Sequence, residues 1–275
     1  MLEKLRPSHV KRVWQVRYAR RVEPLAAMIF PPIAGARYPA KRFPTYDEWT
    51  IIHDPRLDPN LASPEVLELV LAAANRAREM DVSAVAERSA SQRIREEVLC
   101  WPGHHYQLLP ALVDVTHAER VVEVGTFQGA SALALRVGSR QPSVDTFDVV
   151  PWREITLTLL VDDDFRDGIT QHIGDLADPD VFDTHRDRLL DADLLFVDGP
   201  KDGEFEYAFL PRLLALPRTK PQVLVLDDVK VQPMLRLWRE WPLAKLDAAS
   251  FGHWSGTGIT ILPVGPIHWT APTAV

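Results

Sequence analysis

Asp198, Asp227 and Asp228 are the residues of this chain whose type and placement most suggest chemistry, and Lys201 sits close behind the first of them. Each acid ends an apolar run. Leu194-Leu195-Phe196-Val197 leads into Asp198-Gly199, and Val223-Leu224-Val225-Leu226 leads into the Asp227-Asp228 pair. Carboxylates brought to adjacent strand ends repel at neutral pH, and a shared divalent cation or a proton relieves the repulsion. Oxygen ligands alone point to Mg²⁺ rather than zinc, and no Cys/His set with zinc spacing accompanies them.

Further upstream, Val121-Val122-Glu123-Val124-Gly125-Thr126-Phe127-Gln128-Gly129-Ala130-Ser131 is an apolar run that ends near an acid and then turns on two glycines. It reads as a buried strand, a tight loop and a helix. The glycines allow backbone to approach a ligand closely, and the helix N-terminus offers unpaired N–H groups. Its glycine spacing is not that of a pyrophosphate-binding turn, and it has no Gly-Lys-Ser/Thr of a P-loop. Asp148 and Asp175, in Gly174-Asp175-Leu176, close two further expected strands. Ligands of an open α/β sheet sit beyond the C-terminal strand ends, so these acids would converge on one crevice.

Strands must carry them there. The apolar runs predict strands at 120–124, 143–149, 169–173, 193–197 and 222–226, the continuous ones suited to a parallel sheet covered on both faces. Two more are expected at 246–250 and 258–262, joined by Phe251-Gly252-His253-Trp254-Ser255-Gly256-Thr257. Ser63-Pro64-Glu65 is a good helix start, followed by a helical apolar face. A second helix is expected over 85–99, ended by Trp101-Pro102-Gly103, a third over 106–116, and another over 233–241. Residues 1–60 hold too many prolines for long helices and read as an irregular arm.

The Glu123 to Ser131 stretch resembles the first motif of class I S-adenosylmethionine-dependent methyltransferases. The resemblance implies a Rossmann-like α/β fold: a doubly wound, mostly parallel seven-stranded sheet with a C-terminal antiparallel hairpin. It would extend over residues 101–275, with residues 1–100 as a cap or oligomerisation extension. It also implies that Glu123 and the loop of Gly125, Thr126, Gly129 and Ser131 hold the methionine end and ribose of the cofactor. Asp148 would accept the ribose hydroxyls, with Val149 beside it, and Asp175 with Leu176 would take the adenine amino group; Trp152 would either stack on adenine or, as an aromatic at a strand end more often does, join the core. Asp198, counted with the cofactor contacts as well as the metal ligands, would close the site.

The pattern of an acid after strand four, a lysine three residues on and an acid pair after strand five resembles the metal-dependent catechol O-methyltransferase group. It implies Asp198, Asp227 and Asp228 as ligands of Mg²⁺ and Lys201 as general base. An amine beside a cation and a sulfonium has its neutral form favoured, as a base requires. The second acid of the pair is usually Asn in that group, so Asp228 adds charge. His105, in Gly103-His104-His105-Tyr106-Gln107, is a candidate second base or substrate contact. Phe147 to Trp152, Val197 to Gly203 and Phe251 to Gly258 also resemble a bacterial subgroup of these methyltransferases with undefined substrate.

The expected activity is S-adenosylmethionine-dependent O-methylation, Mg²⁺-assisted, of a small hydroxylated acceptor such as a secondary-metabolite phenol or a sugar. Three alternatives remain open: a metal-independent methyltransferase using His105 or Lys201 as base, a non-catalytic assembly module that keeps the cofactor-binding fold, and a nicotinamide oxidoreductase, which the glycine spacing disfavours. With net charge −7, a nucleic-acid backbone is not an expected partner, and no apolar run is long enough to span a membrane. The basic start lacks the apolar stretch of a signal peptide, and the single cysteine, Cys100, excludes an intramolecular disulfide. A cytoplasmic protein is expected, and its helical, Pro-rich extension is of a kind that packs on a second copy in a homo-oligomer.

Overall fold

The apolar runs become the middle of a seven-stranded sheet. The computed structural model describes residues 60–100 and 103–270. Its strands are β1 (Arg120–Val124), β2 (Ser143–Asp148), β3 (Ile169–Ile173), β4 (Leu194–Val197), β5 (Gln222–Asp227), β6 (Lys245–Asp247) and β7 (Thr257–Leu262). They lie in the order β3-β2-β1-β4-β5-β7-β6. The first five pair in parallel, and β7 runs antiparallel to both β5 and β6. The expected doubly wound, mostly parallel sheet with an antiparallel C-terminal hairpin is therefore present. The strand order changes direction between β1 and β4, which opens a crevice beyond their C-terminal ends.

Both faces of the sheet are covered, and the strand period of two explains how. Val121, Leu194, Phe196, Val223 and Val225 point into one buried cluster, while Val122, Leu195, Val197, Leu224 and Leu226 point into the other. Each fully buried Leu or Phe contributes about 1.5–3 kcal/mol by leaving water.

The first face is covered by α1 (Pro64–Ala77) and α4 (His105–Thr116). Ser63 caps α1 by accepting the Val66 N–H at 3.4 Å, and Pro64 occupies its first turn. Val66, Val70, Ala73 and Ala77 form its buried stripe. The helix expected over 85–99 is in fact two, α2 (Ser83–Ala86) and α3 (Gln92–Leu99). The break is local. The Ser89 hydroxyl accepts the Ser91 N–H at 3.1 Å and the Ser89 carbonyl accepts Arg95 Nη1 at 3.0 Å, bonds that compete with a continuous helix.

Between β1 and β2 lies the short α5 (Ala130–Ala134), and between β3 and β4 lie α6 (Pro179–Thr184) and α7 (Arg186–Asp191). The second face is covered by α8 (Phe205–Leu214) and α9 (Gln232–Arg239), through residues such as Phe209, Leu213, Leu237 and Trp238. The described residues fall within one compact unit, so helices α1 to α3 share a core with the sheet. The expected Pro-rich arm and the Trp101-Pro102 break lie outside the described residues. Among the described residues, no helix is long and apolar enough to cross a membrane.

Candidate active site

The loop after β1 is shaped by its neighbours. Gly125 has φ +107°, and a Cβ there would lie 2.1 Å from the Asp198 carbonyl oxygen. No other residue fits so close to the backbone that follows β4. The same approach brings Asp198 to the loop, its N–H donating to Val124 O at 2.8 Å. The Gly125 N–H donates to Phe147 O at 2.8 Å, which ties the loop to β2 as well.

Asp148 ends β2 beside this loop. Its Oδ2 accepts the Phe127 N–H at 2.9 Å and its Oδ1 accepts the Val150 N–H at 3.0 Å. Phe127 takes a left-handed φ of 42°, so the acid fixes a strained turn at the mouth of the crevice. Glu123 does not face that mouth. It is fully buried and accepts a hydrogen bond from the Thr146 hydroxyl at 2.5 Å, while the hydroxyls of Thr146 and Thr126 lie 2.7 Å apart. Burial pushes its carboxyl up to about 8, against the opposing effect of the Ser131 and Thr146 hydroxyls. Its Oε1 has no hydrogen-bond partner. Glu123, Thr126 and Ser131 thus form a floor under the loop.

The residues expected on the adenine side have these surroundings. Asp175 is buried and its Oδ1 accepts the Ala177 N–H at 2.9 Å, which closes the turn after β3. The Leu176 side chain lies in the hydrophobic core, and Val149 is half-buried next to Asp148. Trp152 stacks on Phe165 with centroids 5.0 Å apart, and the Arg153 guanidinium lies 4.6 Å from its ring centroid.

At the ends of β4 and β5 the charges come together. The Lys201 ammonium donates to the Asp198 carboxylate and to Gly199 O at 3.1 Å, and lies 3.4 Å from Asp228 Oδ2. Burial alone would favour the neutral amine. The charges of Asp198, Asp227 and Asp228 outweigh it and hold Lys201 above its ordinary value. So the expectation of a neutral amine is not met by these residues alone; a base role needs another cation to neutralise the acids first. Lys201 takes a left-handed φ of 54°, and its N–H donates to Glu206 Oε1 at 3.0 Å. Glu206 is fully buried and is raised by that burial. Sequence reasoning missed it, because a Glu on an amphipathic helix reads as a surface residue.

Asp227 is buried, and its Oδ1 has no hydrogen-bond partner. Burial and the neighbouring acids raise its carboxyl. Asp228 lies at a left-handed φ of 59° and accepts from the Ser255 hydroxyl, with His253 Nδ1 at 3.2 Å. Burial opposes its ionisation, but His253, Lys201 and Ser255 outweigh that and hold it below the usual carboxylate range. His253 is shifted upward, since its contact with Asp228 outweighs its burial.

The hairpin puts His253 there. The Asp228 N–H donates to Gly256 O and the Lys230 N–H to Ser255 O, both at 2.8 Å. Gly256 has φ +108°, and a Cβ on it would meet Val229 at 2.6 Å, so the hairpin loop lies directly on the β5 exit. In the sequence His253 stands out only as part of the segment that joins the last two expected strands. Its position between two glycines in a loop joining neighbouring strands was the available signal.

His105, at the start of α4, is buried with Nδ1 at 3.7 Å from Asp227 Oδ1 and no hydrogen-bond partner. Its ring packs against His253 at 5.3 Å and Phe196 at 5.7 Å between centroids. Burial pushes it down to about 4, so it is a neutral imidazole at neutral pH. The structure thus gathers Lys201, His105, Asp198, Asp227 and Asp228, all expected from sequence, and adds His253 and Glu206.

No protein-family model matches the chain, and no curated protein matches it. Among solved structures, a methyltransferase from Geobacter sulfurreducens is 19% identical with TM-score 0.43, covering 74% of this chain and 91% of its own. The O-methyltransferase from Bacillus cereus in complex with SAH is 18% identical with TM-score 0.43, covering 70% and 90%. The O-methyltransferase TomG from Streptomyces achromogenes, in complex with SAM, is 21% identical with TM-score 0.41, covering 72% and 90%.

Proposed function

We propose that this chain is an S-adenosylmethionine-dependent O-methyltransferase acting on a hydroxyl of a small molecule, with a divalent cation, in the first instance Mg²⁺, assisting. The observation that carries this reading is the close approach of the Gly125 backbone to that of Asp198, which sets the loop after β1 beside the Lys201 and Asp227 charge cluster at the switch point of the sheet.

Bound S-adenosylmethionine supplies an electrophilic methyl on a sulfonium. The protein must then place an acceptor oxygen in line with it and take that oxygen's proton. In this reading Asp148 would take the ribose hydroxyls, and the 125–129 backbone would line the methionine end. Asp227 fits a cation ligand, since its buried Oδ1 has no hydrogen-bond partner. A cation among these acids would supply charge that makes an acceptor hydroxyl easier to ionise. Lys201 and His105 are the proton acceptors within reach of that cluster.

A metal-independent transfer through His105 is favoured by one observation, the neutral state of its imidazole while Lys201 is held as an ammonium. Calorimetry with S-adenosylmethionine and S-adenosylhomocysteine tests the main reading, and binding of neither would end it. Turnover on a panel of phenols and sugars, repeated with excess EDTA, separates the two routes, because activity that survives full chelation removes the ion from the step and leaves His105 or Lys201 as base.

A further inference from the structure

We infer that Asp227, Asp228 and His253 form a mixed oxygen–nitrogen site for a divalent first-row transition ion, with Asp198 held outside it by Lys201. Among the described residues, one carboxylate oxygen from each aspartate and a ring nitrogen of His253 lie within 4.8 Å of one another. Such a spread suits three ligands of a single ion after small side-chain adjustments. Asp198, the third ligand expected from sequence, instead gives its Oδ1 to the Lys201 ammonium, a closer contact than the 3.4 Å from that ammonium to Asp228 Oδ2.

A second observation points to a ligand at the same place. Asp227 Oδ1 and His105 Nδ1 are both buried, both lack a hydrogen-bond partner, and face each other at 3.7 Å, too far to bond directly. Side-chain exposures of 6% and 5% leave bulk water no access to satisfy them. Orphaned polar atoms of this kind are rare in folded proteins, and a bound ion with its own water is a natural partner. The nitrogen decides the class of ion. A carboxylate-only set suits Mg²⁺, which prefers hard oxygen ligands, whereas imidazole raises affinity for ions along the series from Mn²⁺ to Zn²⁺.

The hairpin fixes the ligand geometry. The His253 backbone N–H donates to the Thr257 hydroxyl at 2.9 Å, while the Ser255 hydroxyl donates to Asp228 and meets His253 Nδ1, so both ligating side chains are anchored by the same loop. This inference deepens the proposed function and rests on it only for what the ion would do.

Co²⁺ binding to the full chain without cofactor is the test, followed by calorimetry and by the visible d–d absorption of bound Co²⁺. The wild type is expected to bind one Co²⁺ at least about tenfold more tightly than Mg²⁺, a difference of about 1.4 kcal/mol. His253→Gln should cut Co²⁺ affinity by about tenfold or more, change the absorption spectrum and leave Mg²⁺ binding nearly unchanged. Asp198→Asn should retain Co²⁺ binding. Loss of Co²⁺ binding in Asp198→Asn with full binding in His253→Gln would overturn the inference and restore an all-carboxylate site. If a variant does not fold, ring-nitrogen NMR of wild-type His253 with diamagnetic Zn²⁺ decides: a coordination shift of one ring nitrogen on saturation supports the ligand, and unshifted nitrogens refute it. A chain that binds S-adenosylhomocysteine but takes up no Co²⁺ refutes the ion site alone. Co²⁺ uptake through His253 by a chain that binds no S-adenosylhomocysteine upholds the ion site and refutes the methyltransferase reading.

Discussion

His105 Nδ1 and Asp227 Oδ1 face each other across 3.7 Å in the interior, and neither has a hydrogen-bond partner. One comes from the first turn of α4, the other from the last residue of β5. Burial drives them in opposite senses, His105 toward the neutral base and Asp227 toward the neutral acid. Perturbed groups of this kind cluster at functional sites.

Asp148 provides the first prediction. Asp148→Ala removes the acceptor of the Phe127 and Val150 N–H groups and the expected ribose contact. Charge-assisted bonds of this type are worth about 1.5–3 kcal/mol, so S-adenosylhomocysteine affinity should fall by roughly 10- to 100-fold. Calorimetry measures it, and an unchanged dissociation constant would move the ribose site elsewhere.

Lys201 is tested through turnover. Lys201→Met should lower methyl transfer by about 10²–10⁴-fold while changing cofactor affinity far less. Parallel kinetics and calorimetry on the same preparation separate the two effects. A variant with full activity would leave His105 as the proton acceptor.

The loop itself can be tested with Gly125→Ala. A residue at φ +107° with its Cβ 2.1 Å from a carbonyl oxygen must strain the backbone and push β1 and β4 apart. Backbone strain alone costs about 1–3 kcal/mol. The thermal midpoint should drop by roughly 2–4 °C for each kcal/mol lost. An unchanged midpoint would mean that the loop can move away from Asp198 without cost.

Stability should also depend on pH through Glu123. Its carboxyl rises from 4.5 in the unfolded chain to about 8 when buried, so the folded state binds the extra proton between those values. The stabilisation is fully present below 4.5 and is lost as pH rises through about 8. Asp227 is shifted in the same direction and adds to the trend. Urea unfolding at a series of pH values should show declining stability across this window. Glu123→Gln should flatten the slope, by up to roughly 1.4 kcal/mol per pH unit. A variant with the wild-type slope would place the titration on other groups.

Much of the architecture was legible from the chain. Apolar runs such as Leu194 to Val197 announce buried parallel strands, because only strands covered on both faces need both alternating side chains to be apolar. The boundaries of β1 and β3 follow the expected ones, while β6 is shorter than expected and the helix expected over 85–99 divides at Ser89. That break depends on two serine-centred bonds which periodicity does not register.

The sequence alone determined that acids would stand at the ends of successive strands, since strand period and strand order follow from local pattern and chain connectivity. Which acids act together was decided by tertiary structure. Glu123 turned inward to the Thr146 hydroxyl, Asp175 closed its own turn, and Asp198 paired with Lys201. His253 reached Asp228 only because β7 inserts between β5 and β6 and lays the hairpin loop on the β5 exit. Burial and charge proximity set these roles, and both are properties of the packed interior that no local stretch of sequence encodes.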